Sequence, residues 1–358
     1  MSRPSLRAGL SALVISAIAL PALAQEQAES GRQVDFTENR VEIYNAVGSV
    51  TLRRATGNAV TVTATAQGAD GSQLTFEVDR QSSGGRFRVV YPEVDAIASP
   101  PGMGYGTTEL DLRADGTFGG DNDRWRRRGD RVRVGSSRGL RGYADIVIGV
   151  PDNRVVRVFL AVGRATADGV TGDVVIDTYG SNIEATNIAG TWLLDTGSGD
   201  VSVNGMRGTL RLDTGSGNLT VSRMTGDLLD ADTGSGDVDA TDVQVDRFNF
   251  DTGSGNVRVR GLTARRGVVD TGSGNADIVY SGGAVDDLTV DTGSGRVLLT
   301  LPAEADARLS IETGGGDATI NRTGVVFERR DEDGVVLRIG QGRGRIRIDT
   351  GSGDVVIR

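Results

Sequence analysis

The sequence contains no cysteine and no histidine among its 358 residues. Their absence excludes a disulfide framework, a thiolate nucleophile, a Ser-His-Asp triad and a zinc site built from His or Cys ligands. The chemistry that remains is that of paired carboxylates, or of hard cations such as calcium that oxygen ligands hold. No pair of Asp or Glu stands out as a catalytic pair. We therefore predict that the protein is not an enzyme and has no catalytic or cofactor-binding residues.

Aromatic residues and proline are also scarce, whereas glycine is abundant. Aromatic residues make up 4% of the chain, and there are 7 prolines against 53 glycines. Proline cannot donate a hydrogen bond to a β-ladder, and none occurs between Pro151 and Pro302. Many glycines among aliphatic and β-branched residues favour short strands joined by tight turns. The composition therefore predicts an all-β protein.

Acidic residues outnumber basic ones. The formal net charge of −9 argues against nucleic acid as a partner.

The first residues of the sequence have the pattern of an export signal. Arg3 and Arg7 precede an apolar stretch from Leu10 to Leu23, and the stretch ends in a small-x-small pattern at Ala24. These features predict a secretory signal peptide. No later run approaches the roughly 20 apolar residues of a membrane span. We expect an exported protein of the periplasm or cell surface, without a transmembrane segment in its mature chain.

The motif D-T-G-S-G recurs along the second half of the chain. It begins at Asp195, Asp213, Asp232, Asp251, Asp270, Asp291 and Asp349, with variants that begin at Asp177 and Glu312. Successive copies start 18 to 21 residues apart as far as Glu312. The last gap, from Glu312 to Asp349, is 37 residues, about two periods. We therefore predict one degenerate copy around Asp331–Gly334.

Apolar residues alternate with polar ones on both sides of each motif. The positions one and three residues before the Asp are apolar in almost every copy, as at Leu212 and Leu210, with Gly267 as an exception. The alternation resumes after the turn, as at Val201 and Val203. A period of two indicates strands with one buried face, and stacked copies close a narrow core. We predict a parallel β-solenoid of ~18–21-residue coils with two short strands per coil.

The pattern divides the chain into four parts. We predict a signal peptide over 1–24, a divergent N-terminal β cap over 25–92, a mobile loop rich in Gly and Arg over 93–142, and the β-solenoid repeat domain over 143–358. The cap echoes the repeat weakly at Tyr44–Leu52. The loop contains the arginine-rich run Arg124–Arg128 and the tripeptide Arg128-Gly129-Asp130.

Stacking places the first residue of each motif beside the same residue of the next coil. This Asp ladder, the candidate site of the chain, comprises Asp195, Asp213, Asp232, Asp251, Asp270 and Asp291. The motif looks like the active-site strand of an aspartic protease, but those enzymes carry one copy per lobe, whereas here it recurs in every coil. The spacing therefore makes the Asp the corner of a coil, and its side chain points outward.

Neighbouring carboxylates of the ladder repel one another by roughly 1 kcal/mol even in water. We predict that each Asp accepts hydrogen bonds from the amides of its own Gly-Ser-Gly turn and stays solvated. The alternative is a calcium-stabilised β-roll, in which calcium bridges the ladder. The Thr that follows each Asp is predicted to point inward and to form hydrogen bonds between coils.

The copies of D-T-G-S-G-D/N-V, the Val150-Pro151 step before them and the exported start resemble the putative-adhesin family of bacterial β-strand-repeat proteins, a domain of unknown function. The resemblance implies an envelope location and an adhesin-like or scaffold role, with no catalytic residues to carry over. The expected partner is a cell-envelope polymer or protein. Two alternatives stay open: an envelope-stress or signalling accessory, and, more remotely, a polysaccharide-active solenoid enzyme.

Overall fold

The computed structural model describes residues 31–99, 107–119, 131–331 and 334–358. The predicted signal peptide, the run Arg124–Arg128 and the tripeptide Arg128-Gly129-Asp130 lie outside these ranges. Inside them the chain forms strands and one short 3-10 turn, Gly71–Gln73. No helix in the described ranges is long and apolar enough to cross a membrane.

The strands fall into three groups along the chain. The N-terminal group consists of β1 (Gly31–Phe36), β2 (Arg40–Arg54), β3 (Val60–Gln67), β4 (Thr75–Gln81), β5 (Gly84–Val90), β6 (Ala96–Ala98), β7 (Thr108–Asp111), β8 (Arg131–Ser136) and β9 (Tyr143–Val150). The central group consists of β10 (Arg154–Asp168), β11 (Thr171–Thr196), β12 (Val201–Thr214), β13 (Leu219–Thr233), β14 (Val238–Thr252), β15 (Val257–Thr271), β16 (Ala276–Tyr280), β17 (Asp287–Thr292) and β18 (Val297–Thr300). The C-terminal group consists of β19 (Ala307–Thr313), β20 (Ala318–Ile320), β21 (Val325–Asp331), β22 (Gly334–Ile339), β23 (Gly344–Thr350) and β24 (Val355–Ile357).

The central group is a stack of parallel coils in the register that the repeat predicts. Between β12 and β13, Val201 lies opposite Leu219 and Thr214 opposite Thr233. The same in-register parallel pairing joins β13 to β14 and β14 to β15. The apolar positions of the repeat are buried in the core between the two sides of each coil. The structure confirms the parallel β-solenoid.

Each coil from β12 to β15 is one bent strand that contains both predicted strands. In β12 the first leg is Val201–Asn204 and the second leg is Thr209–Thr214, and the same division applies to the other coils. The corner between the legs needs a residue in the left-handed region of φ. That residue is Gly205 at 81° and Gly261 at 72°, where glycine adopts the conformation without steric cost.

Gly267, the exception in the apolar pattern, makes room for a ring. It lies opposite Phe248 on the neighbouring coil. A Cβ atom at Gly267 would lie 2.0 Å from Cζ of Phe248, which is buried. The missing side chain in one coil is therefore compensated by the large side chain of the coil before it.

The stack begins inside the predicted N-terminal cap. Strand β2 pairs in parallel with β10 along its whole length, with Tyr44 opposite Phe159, so β2 is a complete coil. The next layer is shared, because β5 covers the first part of β2 and β9 covers the rest. Antiparallel strands β4, β3 and β1 complete this end.

The segment between β5 and β9 includes the predicted Gly/Arg-rich loop. Where it is described, it contains β6, β7 and β8, which form a small sheet in the order β6-β8-β7. The guanidinium of Arg88 donates a hydrogen bond of 2.9 Å to the carbonyl oxygen of Asp115 and holds this segment against β5. The segment is therefore attached to the outer surface of the first coils.

At the C-terminal end the stacking order departs from the chain order. Strand β23 lies between β17 and β19, and β24 lies between β18 and β20. Strand β22 then pairs antiparallel with β19, and β21 pairs antiparallel with β22. The predicted degenerate coil around Asp331–Gly334 is wrong, because an antiparallel hairpin stands there and closes the stack. Residues 332 and 333 lie outside the described ranges.

Candidate functional site

The six residues of the Asp ladder lie side by side on successive coils. Asp195 is opposite Asp213, Asp232 is opposite Asp251, and the intervening pairs have the same register. Asp270 is opposite Asp291, which is opposite Asp349. The side chain of Asp195 is half-buried and the other five predicted ladder residues are exposed. The structure therefore brings the candidate residues together as a line and not as a pocket.

The hydrogen bonds of the turn belong to Thr and not to Asp. The hydroxyl of Thr214 accepts a hydrogen bond of 3.1 Å from the amide of Gly217, in its own turn. The same hydroxyl donates to the carbonyl oxygen of Gly199, one coil earlier, at 3.0 Å. The prediction that the Asp accepts the hydrogen bond from its own turn is wrong. The turn amide donates to the inward Thr hydroxyl instead. The inward Thr and its bonds between coils are observed.

Burial and like charge raise the pKa of four residues of the ladder. Burial, with the adjacent charges of Asp177 and Asp213, raises the pKa of Asp195 to about 6. Burial and neighbouring carboxylates also raise the pKa of Asp232, Asp251 and Asp291. These four carboxylates therefore hold protons at a higher pH than isolated Asp residues do.

The half-buried end of the ladder lies against an aromatic cluster. Tyr44 and Phe159 stack with their ring centroids 4.5 Å apart, on the same outward line as Asp177. Phe118, from the segment between β5 and β9, contacts Tyr44 edge-on at 5.9 Å and lies 6.3 Å from the ring of Tyr179. This cluster covers the start of the ladder, and burial raises the pKa of Asp177.

A second ladder runs one turn further along the coil, at the residue that follows Gly-Ser-Gly. The carboxylate of Asp200 accepts from the amide of Asn218 at 2.8 Å, and the side-chain oxygen of Asn218 accepts from the amide of Asp237 at 3.0 Å. The same bond joins Asp237 to Asn256 at 2.7 Å and Asn256 to Asn275 at 3.1 Å. We call this line the Asx ladder. Its sequence signal is the Asp or Asn that follows Gly-Ser-Gly in every copy except one, where Arg296 stands.

The two ladders differ in their electrostatics. Burial opposes ionisation of Asp237, yet hydrogen bonds from Asn256 and Arg258 lower its pKa overall. In the Asp ladder the pKa shifts of Asp195 and Asp251 have the opposite sign, because burial is reinforced there by neighbouring carboxylates and no hydrogen bond from a described residue offsets it. The hydrogen bonds of the Asx ladder thus stabilise the stacking of the coils. Repulsion between the carboxylates of the Asp ladder opposes it.

Calcium needs six to eight oxygen ligands, and the Asp ladder supplies one carboxylate per coil. Across the described ranges, no group of three or more His, Cys, Asp or Glu side chains is placed to hold a metal ion. The geometry therefore gives no support to calcium bridging between coils.

Comparison with known proteins adds a family match. The model of the Toastrack DUF4097 family matches residues 145–358, which is more than half of the chain. No curated protein matches the sequence. A crystal structure described as that of a putative cell adhesion protein from Clostridium sporogenes aligns over 91% of this chain and 97% of its own, at 10% identity and a TM-score of 0.18. The family match alone bears on what the chain is.

Proposed function

The chain belongs to the Toastrack DUF4097 family, and from this premise we propose that it is a non-catalytic binding module with an adhesin-like or scaffold role in the cell envelope. The observation that carries the proposal is the register of the coils. Because equivalent residues lie opposite one another from β12 to β15, each outward position of the repeat becomes a straight line of side chains. Such lines are suited to long, repetitive partners.

Export supports the same role. The signal peptide predicted over residues 1–24 would deliver the chain to the periplasm or the cell surface, where envelope polymers and proteins are the available partners. The stack would then present its long faces as a rigid spacer, since every coil is bonded to its neighbours through backbone and Thr hydroxyls.

Co-sedimentation with purified, insoluble envelope polymers tests the proposal, together with capture of membrane proteins from the envelope fraction. We expect saturable binding of the protein to at least one polymer or one defined envelope protein. Turnover of a polymer, seen as release of soluble fragments, would overturn the non-catalytic role. Absence of binding to both classes of partner would overturn the binding role. Enrichment of a membrane sensor without polymer binding would favour the signalling accessory.

A further inference from the structure

Exposed arginines recur at one outward position of the second leg near the C-terminal end of the stack. In stacking order this position holds Arg247, Arg266, Asp287, Arg345, Arg308 and Arg338, on β14, β15, β17, β23, β19 and β22. We call this line the Arg row. Neighbouring strands lie ~4.8 Å apart, so the row is about 24 Å long. Five of its six positions carry a guanidinium.

The row crosses a groove between the outward side chains of β19 and β23. The groove has a volume of about 410 Å³. Its polar walls are formed by Arg308, Ser310 and Glu312 on β19, by Arg345 and Arg347 on β23, and by Arg343 just before β23. Four arginines thus meet one carboxylate in a single concave surface.

Carboxylates behind the groove hold two of these arginines in place. Arg343 pairs with Asp306 at 2.5 Å, and Arg308 pairs with Glu328 at 2.8 Å. Their side chains nevertheless remain 81% and 56% exposed. Within the described ranges, Arg345 makes no ion pair, and neither does Arg266. The row and its groove therefore combine oriented guanidinium groups with two that have no anionic partner among the described residues.

We propose that the Arg row binds a linear acidic polysaccharide. Guanidinium groups bind carboxylates with two parallel hydrogen bonds, and a chain of acidic sugars presents such groups at intervals comparable with one strand spacing. The carboxylates within the row and groove, Asp287 and Glu312, accept hydrogen bonds from sugar hydroxyls. This inference rests on the proposed function and names the class of polymer.

The neighbouring negative charges favour a narrow, hydroxyl-rich chain over other polyanions. Asp349 is four residues beyond Arg345 on the same strand, so the Asp ladder runs parallel to the Arg row about 13 Å away. A planar anionic membrane that touched the row would also meet the ladder. A phosphodiester polymer has fewer hydroxyl donors for Asp287 and Glu312. Because the net charge of the chain is −9, attraction of a polyanion depends on local clusters of arginine such as the row.

Isothermal titration of the purified protein with polygalacturonate tests the proposal. Methyl-esterified polygalacturonate is the matched ligand control, since it keeps the sugar chain and loses the charge. The double variant Arg266→Gln/Arg345→Gln removes the two guanidinium groups that have no ion pair, so the fold should be retained. Arg260→Gln is the matched protein control, because Arg260 is 62% exposed and lies on the first leg of β15.

We expect binding to the acid form only, with affinity that falls as salt is added. The double variant should lower the affinity by roughly 10-fold or more, and Arg260→Gln should leave it within about 2-fold. Equal binding of the esterified polymer, unchanged affinity of the double variant, or tighter Arg-dependent binding of duplex DNA or anionic vesicles would each overturn the proposal. If the protein binds other envelope polymers independently of Arg266 and Arg345, this inference fails while the proposed function stands.

Discussion

The hydroxyl of Thr233 donates a hydrogen bond of 2.9 Å to the carbonyl oxygen of Gly217, one coil earlier. It also accepts one of 3.0 Å from the amide of Gly236, in its own turn. One buried hydroxyl therefore closes its own turn and ties that turn to the preceding coil. The same pair of bonds is made by Thr252 and Thr271. This explains the Thr of the motif in these coils, whereas Thr292 and Thr313 donate to carbonyl oxygens of their own turns.

Replacing Thr233 with Val should destabilise the protein by roughly 2–4 kcal/mol, because a side chain of the same shape leaves a buried amide and a carbonyl without partners. Urea unfolding followed by circular dichroism measures the change. Thr220→Val, at an exposed position of the same strand, is the control and should change stability by less than about 0.5 kcal/mol. Equal effects of the two variants would show that the hydroxyl bonds contribute nothing specific.

Asp195→Asn should stabilise the protein at neutral pH. The pKa of Asp195 is raised from 3.8 to about 6 in the folded state, so the folded state favours the protonated form. The contribution of Asp195 to the free energy of unfolding is fully present below pH 3.8 and is lost as the pH rises through about 6. Allowing for solvent screening, the loss amounts to roughly 1–2 kcal/mol.

Measuring the free energy of unfolding at pH 7.5 and at pH 3.5 separates the effect of the Asp195 charge from an effect of the substitution that does not depend on ionisation. Asp195→Asn should be more stable than the native protein at the higher pH and equal to it at the lower. Asp173→Asn, on the same strand and exposed, makes the same change in net charge and should show neither difference. A stabilisation by Asp195→Asn that is independent of pH would contradict the role of ladder charge.

Asn218→Asp should destabilise the protein at neutral pH. Asn218 lies between Asp200 and Asp237 in the Asx ladder, so the change creates three adjacent carboxylates. Repulsion from two neighbours should cost about 2 kcal/mol at pH 7 and vanish when the carboxylates are protonated. Asn275→Asp is the control, because its neighbours in the ladder are Asn256 and Arg296. Comparable losses for both variants at pH 7 would refute the electrostatic reading of the ladder.

Gly267→Ala should cost roughly 1–3 kcal/mol, because the new Cβ atom would lie 2.0 Å from the Phe248 ring. Combined with Phe248→Leu, the same change should cost less than the sum of the two single variants. Gly180→Ala, where the nearest atom is Oγ of Ser198 at 3.7 Å, is the control. Strict additivity of the Gly267 and Phe248 variants would contradict the complementary packing.

The repeat made the solenoid predictable, since the period of two and the spacing of the motif record the buried face and the coil length. It also predicted that Asp213 lies beside Asp232 and that the Thr side chain points inward. The assignment of the turn amide to Asp failed because a sequence pattern does not show which of two adjacent side chains reaches a given N–H group. The hairpin at β21 and β22 depends on pairing across the end of the stack, which periodicity does not encode.

The spatial order of the Arg row was not predictable for a related reason. Arg345 and Arg308 are 37 residues apart and become neighbours only because β23 enters the stack between β17 and β19. Aligning the copies on the motif puts these arginines in one column, but it places β19 directly after β17 and does not show that β23 lies between them. The C-terminal half of the row, with its groove, thus lies where chain order and spatial order differ.

Disulfide trapping tests the stacking order of β17, β23 and β19 most directly, because the native chain contains no cysteine that could form a competing disulfide. Thr289 lies opposite Arg347, and Arg347 lies opposite Ser310, so Thr289 and Ser310 are two strands apart. A disulfide needs Cα atoms within about 7 Å, which adjacent strands satisfy and a separation of two strands does not. Oxidation followed by peptide mapping should show an intramolecular disulfide in Thr289→Cys/Arg347→Cys and none in Thr289→Cys/Ser310→Cys. The reverse pattern would contradict the stacking order and the position of Arg345 between Asp287 and Arg308.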